Sequence, residues 1–291
     1  MDKFRGTGVA LVTPFTPTPD RAVDYPALRR LIDFQLAGGV DYLVINGTTA
    51  ESPTLTTEEK AEIMRVAREH TAGRCPLVYG LGGNDTAALV RTIEATDFTG
   101  YDALLSASPY YNKPSQRGII AHYQRVADAS PVPVILYNVP GRTSSNLTAA
   151  TTLELARHPN IIGIKEASGN LEQCQAIAAG KPADFLLISG DDMMTTALIS
   201  FGGAGIISVL ANAFPRRFAD MTRHALAGDF PAASQLLFGF VPLNPLMYEE
   251  SNPVGVKAAL AAQGMCADAV RLPLLEASEG LKQRIADCAD F

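Results

Sequence analysis

The stretch Ile161-Ile162-Gly163-Ile164-Lys165-Glu166-Ala167-Ser168-Gly169-Asn170 carries the pattern on which the chain is built. It opens as an apolar run with no polar residue between its branched side chains, so both faces of the segment need cover. That is how a strand reads when it lies in a parallel sheet between layers of helix. Small polar residues then make a loop, and residues 171–179 continue with helical spacing. Lys165 ends the strand, pointing from buried surroundings to where the loop begins. Burial disfavours an ammonium, and a neutral amine can attack a ketone to form a Schiff base. By itself this lysine could equally hold its ammonium in water.

Working outward, the same unit recurs. Apolar, β-rich runs cover residues 8–15, 41–45, 76–80, 103–106, 133–137, 161–165, 185–189 and 205–209. Helical patterns separate them, at 25–37, 56–69, 85–98, 116–130, 148–157, 171–179, 193–200 and 215–225. The first carries Leu28, Leu31, Ile32 and Leu36 on one face. The second starts Thr56-Thr57-Glu58-Glu59, with acids in its first turn. Eight strand–helix units indicate an α/β fold, a (β/α)8 TIM barrel, over a doubly wound sheet. The first strand also ends in Val12-Thr13-Pro14-Phe15, without the glycine fingerprint a dinucleotide site needs. After about residue 228 the strand pattern stops. Residues 230–237, 252–263 and 274–287 read as helices, with Asn252-Pro253 and Leu272-Pro273 as punctuation. The expected organisation is a catalytic barrel over residues 1–228 and a C-terminal three-helix appendage over 229–291.

Composition narrows the function. The 291 residues are 47% hydrophobic and 19% charged, enough for a sizeable core, and the formal net charge is −6. No basic stripe appears, so nucleic acid and anionic membrane are not expected partners. No apolar stretch is long enough for a membrane span, and the N-terminus lacks the apolar core of a signal peptide; a cytoplasmic location is expected. Cys75, Cys174, Cys266 and Cys288 form no close pair, and the four histidines are scattered. Neither a disulfide framework nor a metal site is indicated. Gly80-Leu81-Gly82-Gly83-Asn84 lacks a third phosphate-loop glycine, and Gly202-Gly203-Ala204-Gly205 precedes a strand. Both read as tight turns, and no nucleotide or other cofactor is expected.

Barrel active sites lie where the strands end, which directs the search. Strand 2 is followed by Asn46-Gly47-Thr48-Thr49-Ala50-Glu51-Ser52. Strand 4 leads to Ser108-Pro109-Tyr110-Tyr111-Asn112, and strand 5 to Tyr137-Asn138-Val139-Pro140-Gly141-Arg142-Thr143. Strand 6 ends in Lys165-Glu166, strand 7 in Ser189-Gly190-Asp191-Asp192, and strand 8 holds Ile206-Ile207-Ser208. Each residue has a plainer use: the threonines as helix caps, the tyrosines as rim packing, Arg142 in a surface ion pair. Gathered at one face they form an amine, a set of hydroxyls and a carboxylate-binding guanidinium, which suits Schiff-base chemistry on a keto acid.

In order and spacing these segments resemble the dihydrodipicolinate synthase (4-hydroxy-tetrahydrodipicolinate synthase) family, class I pyruvate-dependent lyases of the aldolase type. The resemblance covers nearly the whole chain, and Asn252-Pro253, Val256-Lys257 and Leu272-Pro273 extend it into the C-terminal helices. It implies that Lys165 forms a Schiff base with pyruvate and that Tyr137 gives and takes protons beside it. Thr48 would link Tyr137 to Tyr111 in a relay, with Tyr111 supplied from a neighbouring subunit. Thr49 and the backbone at Ile207 would hold the pyruvate carboxylate, with Gly190 also among the substrate-binding positions. Arg142 would bind the carboxylate of L-aspartate 4-semialdehyde, on the diaminopimelate route to lysine. The implied assembly is a homotetramer, a dimer of dimers.

Two departures stand out. Ala50 occupies a position where the family most often has glycine, a cost of about 1 kcal/mol if the backbone there needs positive φ. In lysine-inhibited relatives the effector cleft matches Ser52, Pro53, Thr57, Lys60, Asn84, Ala88 and Tyr110. An acid is missing at Ala88, and Lys60 adds a like charge, so L-lysine feedback is expected to be weak or absent. The nearest alternative is a sister aldolase, such as N-acetylneuraminate lyase or a 2-keto-3-deoxy-sugar-acid aldolase; a silent keto-acid-binding relative is the other.

Overall fold

The computed structural model describes residues 2–288; Met1 and residues 289–291, the expected end of the helical appendage, lie outside the described residues. Eight parallel strands close in sequence order: β1 (Gly6–Ala10), β2 (Tyr42–Ile45), β3 (Leu77–Gly80), β4 (Ala103–Ala107), β5 (Val134–Asn138), β6 (Ile161–Glu166), β7 (Leu186–Ser189) and β8 (Gly205–Ser208). Helices run between them, giving the expected (β/α)8 barrel with helices Phe230–Phe238, Val254–Ala262 and Glu279–Cys288 beyond it. None of the described helices is long and apolar enough to cross a membrane.

The strands lack polar alternation because they are covered twice. Outward residues such as Leu43, Leu104, Leu136 and Ile164 join the core under the helices, while Val44, Val78, Leu105, Ile135 and Ile188 fill the barrel. Phe4, from a short 3-10 turn ahead of β1, belongs to that inner core and meets Tyr42 edge-on, ring centroids 5.5 Å apart. Packing thus fills the end where the strands begin, and side chains at the other end are free to line a site.

Several boundaries differ from the sequence expectation. The first strand begins at Gly6 and ends at Ala10; Leu11–Phe15 is buried loop, and Phe15 bridges to Val23 instead. Apolar character alone could not separate buried strand from buried loop. The last helix starts at Glu279 rather than residue 274. A four-residue helical turn, Pro140–Thr143, carries Arg142 and is too short to show periodicity. Gly80 lies at the end of β3, where a Cβ would come within 2.7 Å of the Gly47 Cα. That glycine serves close approach of two backbones rather than a turn.

His122 is buried on helix Gln116–Ala129, its Nδ1 paired with Thr86 Oγ1 at 2.8 Å. Burial lowers its pKa to about 4. Such a histidine is neutral in the fold, so its stabilising contribution is present above pH ~6.5 and is lost as pH falls through about 4. By this linkage the free energy of unfolding of wild type should drop by about 2–3 kcal/mol more than that of His122→Gln between neutral pH and pH ~4.5. Urea denaturation of both proteins across that range measures the difference; parallel curves would remove His122 as the cause.

Candidate active site

Side chains alternate across each strand, and this settles what faces the barrel mouth. The register pairs Tyr137 with Lys165 and Asn138 with Glu166. Tyr137 and Lys165 point inward, both buried, and the Lys165 Nζ lies over the Tyr137 ring at 4.4 Å from its centroid. Asn138 and Glu166 point outward beneath the helices. There the Asn138 amide donates to the Glu166 carboxylate at 3.0 and 3.1 Å, and Asn138 Oδ1 accepts from the Leu147 N–H at 2.9 Å. Glu166 also accepts from the Ser168 N–H at 2.7 Å and Gln173 Nε2 at 2.9 Å. The buried carboxylate is thus satisfied by neutral hydrogen-bond donors.

The amine opens onto two adjoining chambers. The larger, about 410 Å³, has Thr48, Thr49, Lys60, Tyr110, Tyr137, Arg142 and Lys165 in its walls. The smaller, about 270 Å³, shares Thr49, Tyr137, Arg142 and Lys165 and adds Gly190, Asp191, Tyr248 and Asn252. Thr48 and Thr49 sit on a single 3-10 turn, Thr48–Ala50, directly after β2. Ala50 is buried without positive φ; Glu51 takes the left-handed conformation, φ +56°. Alanine at position 50 is therefore unstrained.

The chain gathers six of the eight expected site residues around these chambers: Lys165, Tyr137, Thr48, Thr49, Arg142 and Gly190. Ile207 is fully buried on β8 and stands apart from the chamber walls. Tyr111 also stands apart, 87% exposed in a loop with φ +73°. Sequence reading missed Asp191 in its particular place, and Tyr248 and Asn252. The first was visible only as part of a strand-end motif, and the other two come from the C-terminal segment, which no strand-end search reaches. Asn252 Nδ2 donates to Thr49 Oγ1 at 3.0 Å. Behind the site Asp192 is fully buried; desolvation pushes its carboxyl up to about 6, opposed by the Ser208 hydroxyl and the Leu210 N–H it accepts from.

A strand-end amine stacked on a phenol, hydroxyls beside it and a guanidinium in the same walls, all in a (β/α)8 barrel, fit a lyase of the aldolase type. Comparison with known proteins makes this particular. A family model described as the dihydrodipicolinate synthetase family matches residues 3–290, and the chain belongs to that family. A protein of Cytophaga hutchinsonii named 4-hydroxy-tetrahydrodipicolinate synthase is 52% identical over 98% of this chain and 95% of its own. The crystal structure of dihydrodipicolinate synthase from Aquifex aeolicus superposes with a TM-score of 0.93 at 38% identity, covering 98% of this chain and 96% of that one. That of the chloride-inhibited Acinetobacter baumannii enzyme, complexed with pyruvate, gives 0.94 at 35% identity, covering 98% and 97%.

Gly190 has a steric reason to be glycine. A Cβ there would lie 2.6 Å from the Ala167 Cβ and 3.1 Å from Lys165 Cε. Gly190→Ala must displace one of these groups, so overpacking should destabilise the fold by about 1–3 kcal/mol. An unchanged urea midpoint would show that the site absorbs the methyl group.

Proposed function

We propose that this chain condenses pyruvate with L-aspartate 4-semialdehyde to 4-hydroxy-tetrahydrodipicolinate, on the diaminopimelate route to lysine. The observation that carries the reading is the Lys165–Tyr137 pair facing the chambers, in a chain belonging to this family. The Lys165 amine attacks the carbonyl carbon of pyruvate, and the ketone oxygen leaves the carbinolamine as water, giving an imine. Loss of a methyl proton gives an enamine, whose carbon attacks the aldehyde of the second substrate. The amine of that substrate then closes on the imine carbon and releases Lys165. Each step needs a proton added or removed within reach of one amine. Tyr137 and Thr48 stand in the chamber walls for this work. Tyr111 completes the relay from a second copy, and its exposed ring together with the half-exposed Tyr110 offers the aromatic surface such a copy covers. A dimer sharing Tyr111 follows from that reading, and membership of the family supports a homotetramer built as a dimer of such dimers. Thr49 and Gly190, both in the chamber walls, hold pyruvate. Arg142 takes the carboxylate of the semialdehyde by a bidentate fork, which favours this partner over the sugar-derived partners of sister aldolases. The barrel carries the chemistry, and the helices between Phe230 and Cys288 support it.

Borohydride reduction in the presence of pyruvate traps the imine. Peptide mapping should place the adduct on Lys165; Lys165→Ala should give none and lose condensation activity by at least about a thousandfold, as expected when a covalent nucleophile is removed. An adduct on wild type without condensation of the semialdehyde would point to a sister aldolase, and no adduct at all would reject the mechanism.

Weak or absent inhibition by L-lysine belongs to the same reading. Lys60 is half-buried in the wall of the larger chamber beside Ser52, Pro53 and Tyr110, and burial lowers its pKa. Position 88 is alanine and offers no acid to an incoming ammonium, while Lys60 adds a like charge to the chamber wall. Steady-state rates should fall less than about twofold at millimolar L-lysine, an effect within a few tenths of a kcal/mol of none. Strong inhibition at sub-millimolar lysine would overturn this.

A further inference from the structure

The sequence places two expensive features on one residue. Glu51 follows Gly47-Thr48-Thr49-Ala50 and adopts φ +56°, a left-handed backbone that glycine enters freely and a side-chain-bearing residue enters at a cost. Its carboxylate is buried, and Oε1 accepts from Lys257 Nζ at 2.5 Å. Lys257 is fully buried on helix Val254–Ala262, the one charged residue in a helix otherwise made of Val, Gly, Ala and Leu. Its ammonium also donates to the Ala269 carbonyl at 2.8 Å and lies 4.2 Å from the Phe15 ring centroid. Glu51 Oε2 accepts from the Arg271 N–H at 2.9 Å.

A buried ion pair is weak as a source of stability, because desolvating two charges offsets their attraction, and apolar replacement is often neutral. What the pair supplies is direction. Its geometry is narrow, and it ties the last residue of the β2 turn to the C-terminal helices. A second tie runs the same way, from Asn252 Nδ2 to Thr49 Oγ1 at 3.0 Å. Between the two contacts lie only Ala50 and the backbone of a single 3-10 turn. The turn that carries Thr48 and Thr49 is therefore held at its middle residue and at its C-terminal end by the segment beyond the barrel, and a glycine at position 51 would relax the backbone but lose one of the holds.

We propose that Glu51 and Lys257 are positioning residues for the reaction: their buried ion pair sets the turn so that Thr48 and Thr49 meet pyruvate at Lys165. This rests on the reading of Thr49 as a holder of pyruvate and Thr48 as a member of the proton relay. It also gives the C-terminal helices a task at the site, which a barrel core alone leaves unexplained.

The test is the apolar replacement Glu51→Leu with Lys257→Met, read by calorimetry and by steady-state kinetics in both substrates. The melting temperature should stay within a few degrees of wild type. The pyruvate KM should rise at least tenfold and kcat fall at least tenfold, while the KM for the semialdehyde, whose carboxylate is held by Arg142, moves less than threefold. A general loosening of the fold would not single out pyruvate. Glu51→Gln, which keeps the shape and one acceptor, should shift the pyruvate KM the same way by threefold or more. Wild-type pyruvate kinetics in either variant, or equal rises in both KM values, would overturn the proposal. Wild type is taken through borohydride trapping with pyruvate alongside; failure to form the Lys165 adduct there counts against the reading of the function itself, not against the pair.

Discussion

The site depends on the pleat of two neighbouring strands. Because side chains alternate, Tyr137 and Lys165 can face the barrel interior only while Asn138 and Glu166 face out. A slip of one residue in β6 would drive the amine into the helix layer and bring Glu166 to the mouth. The outward pair prevents that slip. Each donor on the Glu166 carboxylate comes from a different place: Asn138 on β5, Ser168 on the following loop, Gln173 on the next helix. Moving β6 by one position would take the carboxylate from all of these donors at once and put the lysine amine in its place, a loss larger than any single hydrogen bond contributes net.

From that register the asymmetry of the barrel follows. One end is filled by Phe4, Tyr42 and the aliphatic residues packed on them, and water is excluded. At the other end the inward positions are lysine and tyrosine, and glycine replaces bulk beside them, so that Gly190 leaves room for the lysine chain. Polar walls then come from loops rather than strands: the Thr48–Ala50 turn, the Pro140–Thr143 turn with Arg142, and Asn252 from beyond the barrel. Rigid strands set the reacting amine, and shorter, separately anchored pieces set what it reacts with.

The C-terminal segment is part of this arrangement. Asn252 and Tyr248 stand in a chamber wall, and Lys257 reaches a carboxylate two residues past Thr49. The lone lysine in the apolar run Val254-Gly255-Val256-Lys257-Ala258-Ala259-Leu260 needs a buried partner, since an unpaired buried ammonium is too costly to keep. Its partner was not visible, because Glu51 lies some two hundred residues earlier and contact between them needs the folded barrel.

Legibility divides along that line. Covered strands alternating with helical patterns are a local property, so the barrel, the appendage and the strand-end location of Lys165, Tyr137, Thr48, Thr49 and Arg142 could be read from the sequence. The fate of residues 11–15, the helical turn at Arg142 and the unstrained Ala50 could not, because apolar composition does not distinguish buried strand from buried loop and four residues carry no period. Nor could the distances that make a site of these residues. Residues far apart in the chain meet only once strand register, barrel closure and the docking of the C-terminal helices have fixed their directions. The sequence by itself determined which chemistry was available at the strand ends; the tertiary structure decided which of those groups face one another, because direction in a closed barrel is set by pairing between strands and not within them.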